Sequence, residues 1–153
     1  MKLVMARANS SPARRIGPIL VVDDYDDARL TVREGLENAG YTVVEAANGQ
    51  QALSFLVSRP GVSLVVLDLQ MPVMDGWGLL ELLRCYVGLA KIPVIIVSAQ
   101  EPRLERTRHH GIFGCIRAPY ELEELIEMVD SCMAGNRKVS AAPILPADAR
   151  RKT

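Results

Sequence analysis

Three aspartates and one serine stand where reactive groups, not packing groups, would be placed. Asp23 and Asp24 follow the apolar run Ile19-Leu20-Val21-Val22, Asp68 follows Val62 to Leu67, and Ser98 follows Val94 to Val97. A lone carboxylate has no packing reason to end a buried apolar run. If these runs are neighbouring strands, three carboxylates meet in one pocket, where like charges repel and raise one another's pKa unless a cation joins them. A hard divalent cation with oxygen ligands is the natural partner, and Mg²⁺ suits a few carboxylates together with waters and a phosphate. Asp26 and Asp27 read differently. They precede a helical pattern and suit the positive end of that helix.

The elements that must position these groups follow from the hydrophobic period. Short apolar runs at Ile19–Val22, Tyr41–Val44, Val62–Leu67, Val94–Val97 and Phe113–Arg117 predict five strands. Helical patterns lie between and after them. The first uses Ala28, Val32, Gly35, Leu36 and Ala39 and stops at Gly40. The second, capped by Asn48, uses Ala52, Leu53, Leu56 and Val57. A third runs from Asp75 to about Tyr86, a fourth from Pro102 to about His110, and Pro119 opens the last, with Leu122, Leu125, Ile126 and Val129. Five β-α units in succession predict an α/β fold: a five-stranded parallel sheet, doubly wound as (βα)5, with helices on both faces. In such sheets ligands bind beyond the carboxyl ends of the strands, where the four polar groups fall.

Composition narrows the class. The 153 residues are 49% hydrophobic and 24% charged, enough for one domain with a real core. No apolar run approaches the roughly 20 residues of a membrane helix, and residues 1–15 do not read as a signal peptide. Cys85, Cys115 and Cys132 form no CxxC and no zinc spacing, so reduced thiols and a cytoplasmic location are expected. The net charge of zero hides an asymmetry. The two ends hold nine of the 18 basic residues and one of the 18 acidic ones, which gives +4 at each end and −8 for the body between. Residues 1–16 and 134–153 are accordingly expected to be mobile basic tails flanking a folded body at 17–133. The acidic body argues against a DNA-binding surface.

The motifs L-V-V-D-D-Y at 20–25 and L-D-L-Q-M-P-V-M-D-G at 67–76 resemble the receiver domain of two-component response regulators, whose fold is flavodoxin-like. The spacings agree with that family, with Asp24 and Asp68 44 positions apart and Asp68 and Ser98 30 apart. The resemblance implies that Asp68 is the phosphoacceptor and takes a phosphoryl group from a histidine kinase or a phosphotransfer protein. It implies that Asp24 and Asp68 bind Mg²⁺ directly, with the Gln70 backbone carbonyl as a third ligand and Asp23 acting through metal-bound water. Ser98 matches the switch hydroxyl that donates to a phosphoryl oxygen, and Ala99 the small residue after it. Such a domain is a signalling module rather than a conventional enzyme, and it acts by binding a downstream protein.

The resemblance fails at the end of strand five. The family usually places a Lys directly before the proline there, and this chain has Ala118 before Pro119. Arg117 is the adjacent cation, but neighbouring side chains of a strand point to opposite faces, so it substitutes only if the strand bends. Cys115 stands where an aromatic switch residue often sits. Ser98 and Ala118 are 20 positions apart, a shorter interval than the family's, and the fourth helix is polar. Adjacent His109 and His110 diverge by about 100° on a helix and make a poor metal pair. Two function classes follow: a Mg²⁺-dependent phosphoacceptor that signals through protein contacts, and a phosphorylation-independent receiver that serves as a binding module. An aspartyl phosphatase of the haloacid type is disfavoured, because Gln70 stands where a second Asp would be.

Overall fold

The computed structural model describes residues 17–59, 61–69, 71, 75–99 and 112–135. The chain runs β1 (Ile19–Val22), α1 (Asp26–Asn38), β2 (Val43–Ala46), α2 (Gly49–Ser58), β3 (Leu64–Asp68), α3 (Gly76–Arg84), β4 (Val94–Ser98), β5 (Ile112–Arg117) and α4 (Leu122–Met133). The five strands form one parallel sheet in the order β2-β1-β3-β4-β5. The doubly wound α/β architecture expected from the alternation is the one observed. The helix expected at 102–110 and the segments 1–16 and 136–153 lie outside the described residues.

The sheet is central because its strands are apolar on both sides. All four residues of β1 and the first four of β3 are buried. Alternation then divides the core. Leu20, Val22, Val65, Leu67 and Ile96 pack on one face against Ala52 and Leu56 of α2 and Leu79, Leu80 and Leu83 of α3. Ile19, Val21, Leu64, Val66 and Ile95 pack on the other against Val32 and Leu36 of α1 and Leu125 and Val129 of α4. Each such side chain fully buried contributes about 1.5–3 kcal/mol. A glycine marks the close approach of α1 and α4. A Cβ on Gly35 would stand 2.6 Å from Leu122 Cδ2, so any larger residue would make the Leu122 side chain shift where α1 meets the start of α4.

Several boundaries differ from the sequence reading. β2 begins at Val43, not Tyr41, because the residues that pair with Ile19 to Val22 of β1 are Val43 to Ala46. The Tyr41 hydroxyl instead donates to Asp130 Oδ1 of α4 at 2.5 Å. Val57 is 52% exposed, since it follows the buried Leu56 and turns about 100° away from the core. Asp26 and Asp27 lie inside the first turn of α1 rather than before it, with Tyr25 at the N-cap. Pro119 does not open the last helix. A capping box between Glu121 and Glu124 starts α4 at Leu122 and leaves Ala118 to Tyr120 as a link from the sheet. At its far end Ala134 closes α4, and Gly135 follows at φ 87°, a conformation glycine adopts without strain.

Candidate functional site

The chain leaves β1 for β2 on one side of the sheet and enters β3 on the other. The crevice between the carboxyl ends of β1 and β3 is therefore the topological switch point. Asp23 and Asp24 follow β1 and Asp68 ends β3, and the parallel register carries both strands to the same level, with Val22 opposite Leu67. Carboxylate oxygens of Asp23, Asp24 and Asp68 lie within 4.8 Å of one another.

Their surroundings differ. Asp24 is exposed, whereas Asp23 and Asp68 are half-buried. Burial pushes the Asp23 carboxyl above its ordinary range, and the Asp24 charge adds to the effect. The Tyr25 N–H, which donates to Asp23 Oδ1 at 2.9 Å, works against it, as does the Arg29 charge. Three crowded carboxylates at a strand-end crevice are a donor set that fits a hard divalent cation, which would offset the repulsion their placement creates. Gln70, expected to lend a backbone carbonyl, lies outside the described residues.

Described residues on either side of the loop after β3 tie the start of α3 to the end of β3. Asp75 Oδ1 accepts from the Gly78 N–H at 2.8 Å and caps α3. The Gly76 N–H donates to the Leu69 carbonyl at 2.9 Å. Trp77 packs half-buried against the core on this side. Ser98 is the one buried polar or charged residue among the described residues and ends β4, the strand next to β3. Asp68, Ser98 and the end of β5 thus lie on neighbouring strands. The Ala118 N–H donates to the Ser98 carbonyl at 2.8 Å and extends the ladder by one residue.

The register of β5 bears on the missing lysine. The β4–β5 pairing is irregular between Val94 and Ile95, far from the crevice, and regular from Ile96–Cys115 to Ser98–Arg117. Cys115 packs in the core on the α2–α3 face and Ile116 in that on the α1–α4 face. Continued alternation assigns Arg117 to the Cys115 side and Ala118 to the Ile116 side. Leu64 and Val66 lie on that second side, and the same alternation assigns Asp68 to it. Cys115 is buried, and burial pushes its thiol up to about 12, so it serves as a core residue.

Two residues beside the pocket escaped the sequence reading. Arg29 Nη1 donates to the Asp23 carbonyl at 2.6 Å, and its Nε donates to Glu45 Oε1 at 2.8 Å. Only the Asp26–Arg29 spacing of an ion pair along a helix was visible beforehand; Glu45 is 16 residues away on β2. Tyr120 is the other. Burial pushes its phenol up to about 12, and the negative charges of Asp23 and Asp68 add to the shift. In a helix that begins at Pro119, nothing marks Tyr120 as a residue of the crevice.

A doubly wound parallel sheet with a carboxylate triad at its switch point defines an α/β protein whose ligand site lies beyond the strand ends. Residues 19–130 match the model of the response regulator receiver domain, and the chain belongs to that family. It is 28% identical over 116 residues to a probable chemotaxis protein CheY of Rhizobium etli, covering 74% of this chain and 89% of that one. It is 27% identical over 111 residues to sporulation initiation phosphotransferase F of Bacillus subtilis, covering 72% and 89%. A response regulator receiver protein of Pseudomonas putida superposes with a TM-score of 0.70 at 25% identity, over 78% of this chain and 99% of that one. Other curated relatives are longer. The chain spans about half the length of several, for example 54% of the probable transcriptional regulator ycf29 of Porphyra purpurea. Receiver domains are signalling modules, and among the described residues no helix is long and apolar enough to cross a membrane.

Proposed function

We propose that this receiver, with 17–133 as its working unit, accepts a phosphoryl group on Asp68 from the phosphohistidine of a histidine kinase or phosphotransfer protein. It then signals through contact with a downstream protein. The observation that carries the reading is the convergence of Asp23, Asp24 and Asp68 within 4.8 Å at the switch point. An Asp68 carboxylate oxygen attacks phosphorus, the phosphorus–nitrogen bond breaks, and the imidazole nitrogen leaves with the electron pair. Such a transfer needs alignment and charge neutralisation more than acid-base help. Asp23, Asp24, Asp68 and the Gln70 carbonyl would hold Mg²⁺, whose part is to neutralise phosphoryl oxygens. The Ser98 hydroxyl is the donor on the adjacent strand.

The test is incubation with acetyl phosphate and Mg²⁺ followed by rapid intact-mass measurement, with Asp68→Asn and metal-free controls. Beryllofluoride binding, read by Trp77 fluorescence, covers an adduct too short-lived to weigh. One phosphoryl gained only with both Asp68 and Mg²⁺ is the expected result. Ala118 favours a second reading, a receiver that binds its partner without phosphorylation. An absent adduct together with absent beryllofluoride binding would establish it over the first.

A further inference from the structure

Asp23 is tied on three sides. Its N–H donates to the Ala46 carbonyl of β2 at 3.1 Å, its carboxylate accepts from the Tyr25 N–H, and its carbonyl accepts from Arg29 Nη1 at 2.6 Å. The third tie comes from a side chain that spans the site's framework. Arg29 Nη2 donates to Asp26 Oδ1 at 2.7 Å, and Nε reaches Glu45 Oε1 on β2. The Arg29 side chain is 14% exposed. Glu45 is held from its outer side by Arg33 Nη1 at 2.6 Å. One planar group therefore joins the loop after β1, the first turn of α1 and the neighbouring strand.

We infer that Arg29 is the positioning residue of the acidic crevice: its guanidinium fork fixes the loop that sets Asp23 and Asp24 against Asp68. The inference rests on the metal-binding reading above. It makes a prediction of unusual sign. A cation beside a cation site weakens metal binding through space, so if Arg29 acted by charge alone its removal would tighten Mg²⁺. If it acts by holding the loop, its removal loosens Mg²⁺. A lysine keeps the charge but is a point donor that cannot reach three acceptors in one plane, so it fails to restore the hold.

The test titrates Mg²⁺ against the full chain by Trp77 fluorescence, well below each variant's unfolding temperature. Arg29→Gln and Arg29→Lys are both expected to weaken Mg²⁺ about tenfold, the effect of losing an outer-shell partner. Arg33→Gln, which breaks the neighbouring pair but leaves the Asp23 carbonyl contact, is expected to leave affinity unchanged. A metal-free readout accompanies it: exchange of the Asp23 and Tyr25 amide protons is faster in both Arg29 variants than in wild type. Unchanged or tighter Mg²⁺ binding in Arg29→Gln, or full rescue by lysine, overturns the inference. Failure of the wild-type chain to bind Mg²⁺ would instead sink the metal reading, and amide exchange would still decide whether Arg29 holds the loop.

Discussion

A Cβ on Gly76 would stand 2.8 Å from the carbonyl oxygen of Asp68 and 2.7 Å from the Leu69 Cα. The first residue of α3 thus rests directly on the backbone that carries the phosphoacceptor position. The contact explains the glycine of the Met-Asp-Gly motif: it is a matter of space, with Asp75 as the cap before it.

Gly76→Ala is therefore expected to destabilise the protein by about 1–3 kcal/mol, because the obstacle is backbone and cannot turn aside. Urea unfolding checks this. The strain falls on the main chain of Asp68, so phosphorylation from acetyl phosphate should fall as well, even at temperatures where the variant is folded. Wild-type stability in the variant would show that α3 can shift without cost.

Asp68→Asn removes one of three mutually repelling carboxylates. The metal-free variant should be more stable than wild type by about 1 kcal/mol, visible as a rise of several degrees in Tm. Mg²⁺ should raise the Tm of the wild-type chain and do little for the variant. A lower metal-free Tm in Asp68→Asn would mean that the triad does not repel as its spacing implies.

Ala118→Lys restores the cation expected at this position in the family. Alternation assigns residue 118 to the Asp68 side of β5 and Arg117 to the other side. The substitution should strengthen beryllofluoride binding about tenfold, the worth of one charge-assisted hydrogen bond. Equal affinity in the two proteins would mean either that Arg117 already fills the lysine's role or that the switch is dead for other reasons.

Glu45 predicts a pH dependence. Its hydrogen bond from Arg29, with help from Arg33, lowers its pKa below the ordinary 4.5 even though burial opposes the shift. A carboxylate depressed in the folded state contributes stability that is present above its ordinary value and lost as pH falls through the folded value. Glu45→Gln should therefore unfold at lower urea than wild type at neutral pH, and the gap should close as pH falls through the lowered folded-state value. A gap that persists in acid would locate the loss in packing rather than charge.

The strand cores, the β-α alternation and the polar groups at strand ends can be read from the chain alone. Each of these is a local matter: an apolar run long enough to be buried on both faces, then a polar residue where the run stops. Asp23, Asp24, Asp68 and Ser98 were legible for that reason. The tertiary structure decided what local patterns cannot encode. Strand order brings the ends of β1 and β3 together and joins Asp68 to a pair of acids, Asp23 and Asp24, that lie 45 and 44 residues before it in the chain. Pairing with β1, not the apolar run, fixes where β2 begins. The capping pair Glu121–Glu124, not Pro119, fixes where α4 begins, and so leaves Tyr120 in the crevice. Arg29 looked like an ordinary helix-surface cation until folding laid Glu45 and the Asp23 carbonyl against it. A guanidinium has as many directions as it has N–H groups, and only the assembled chain chooses which of them are used.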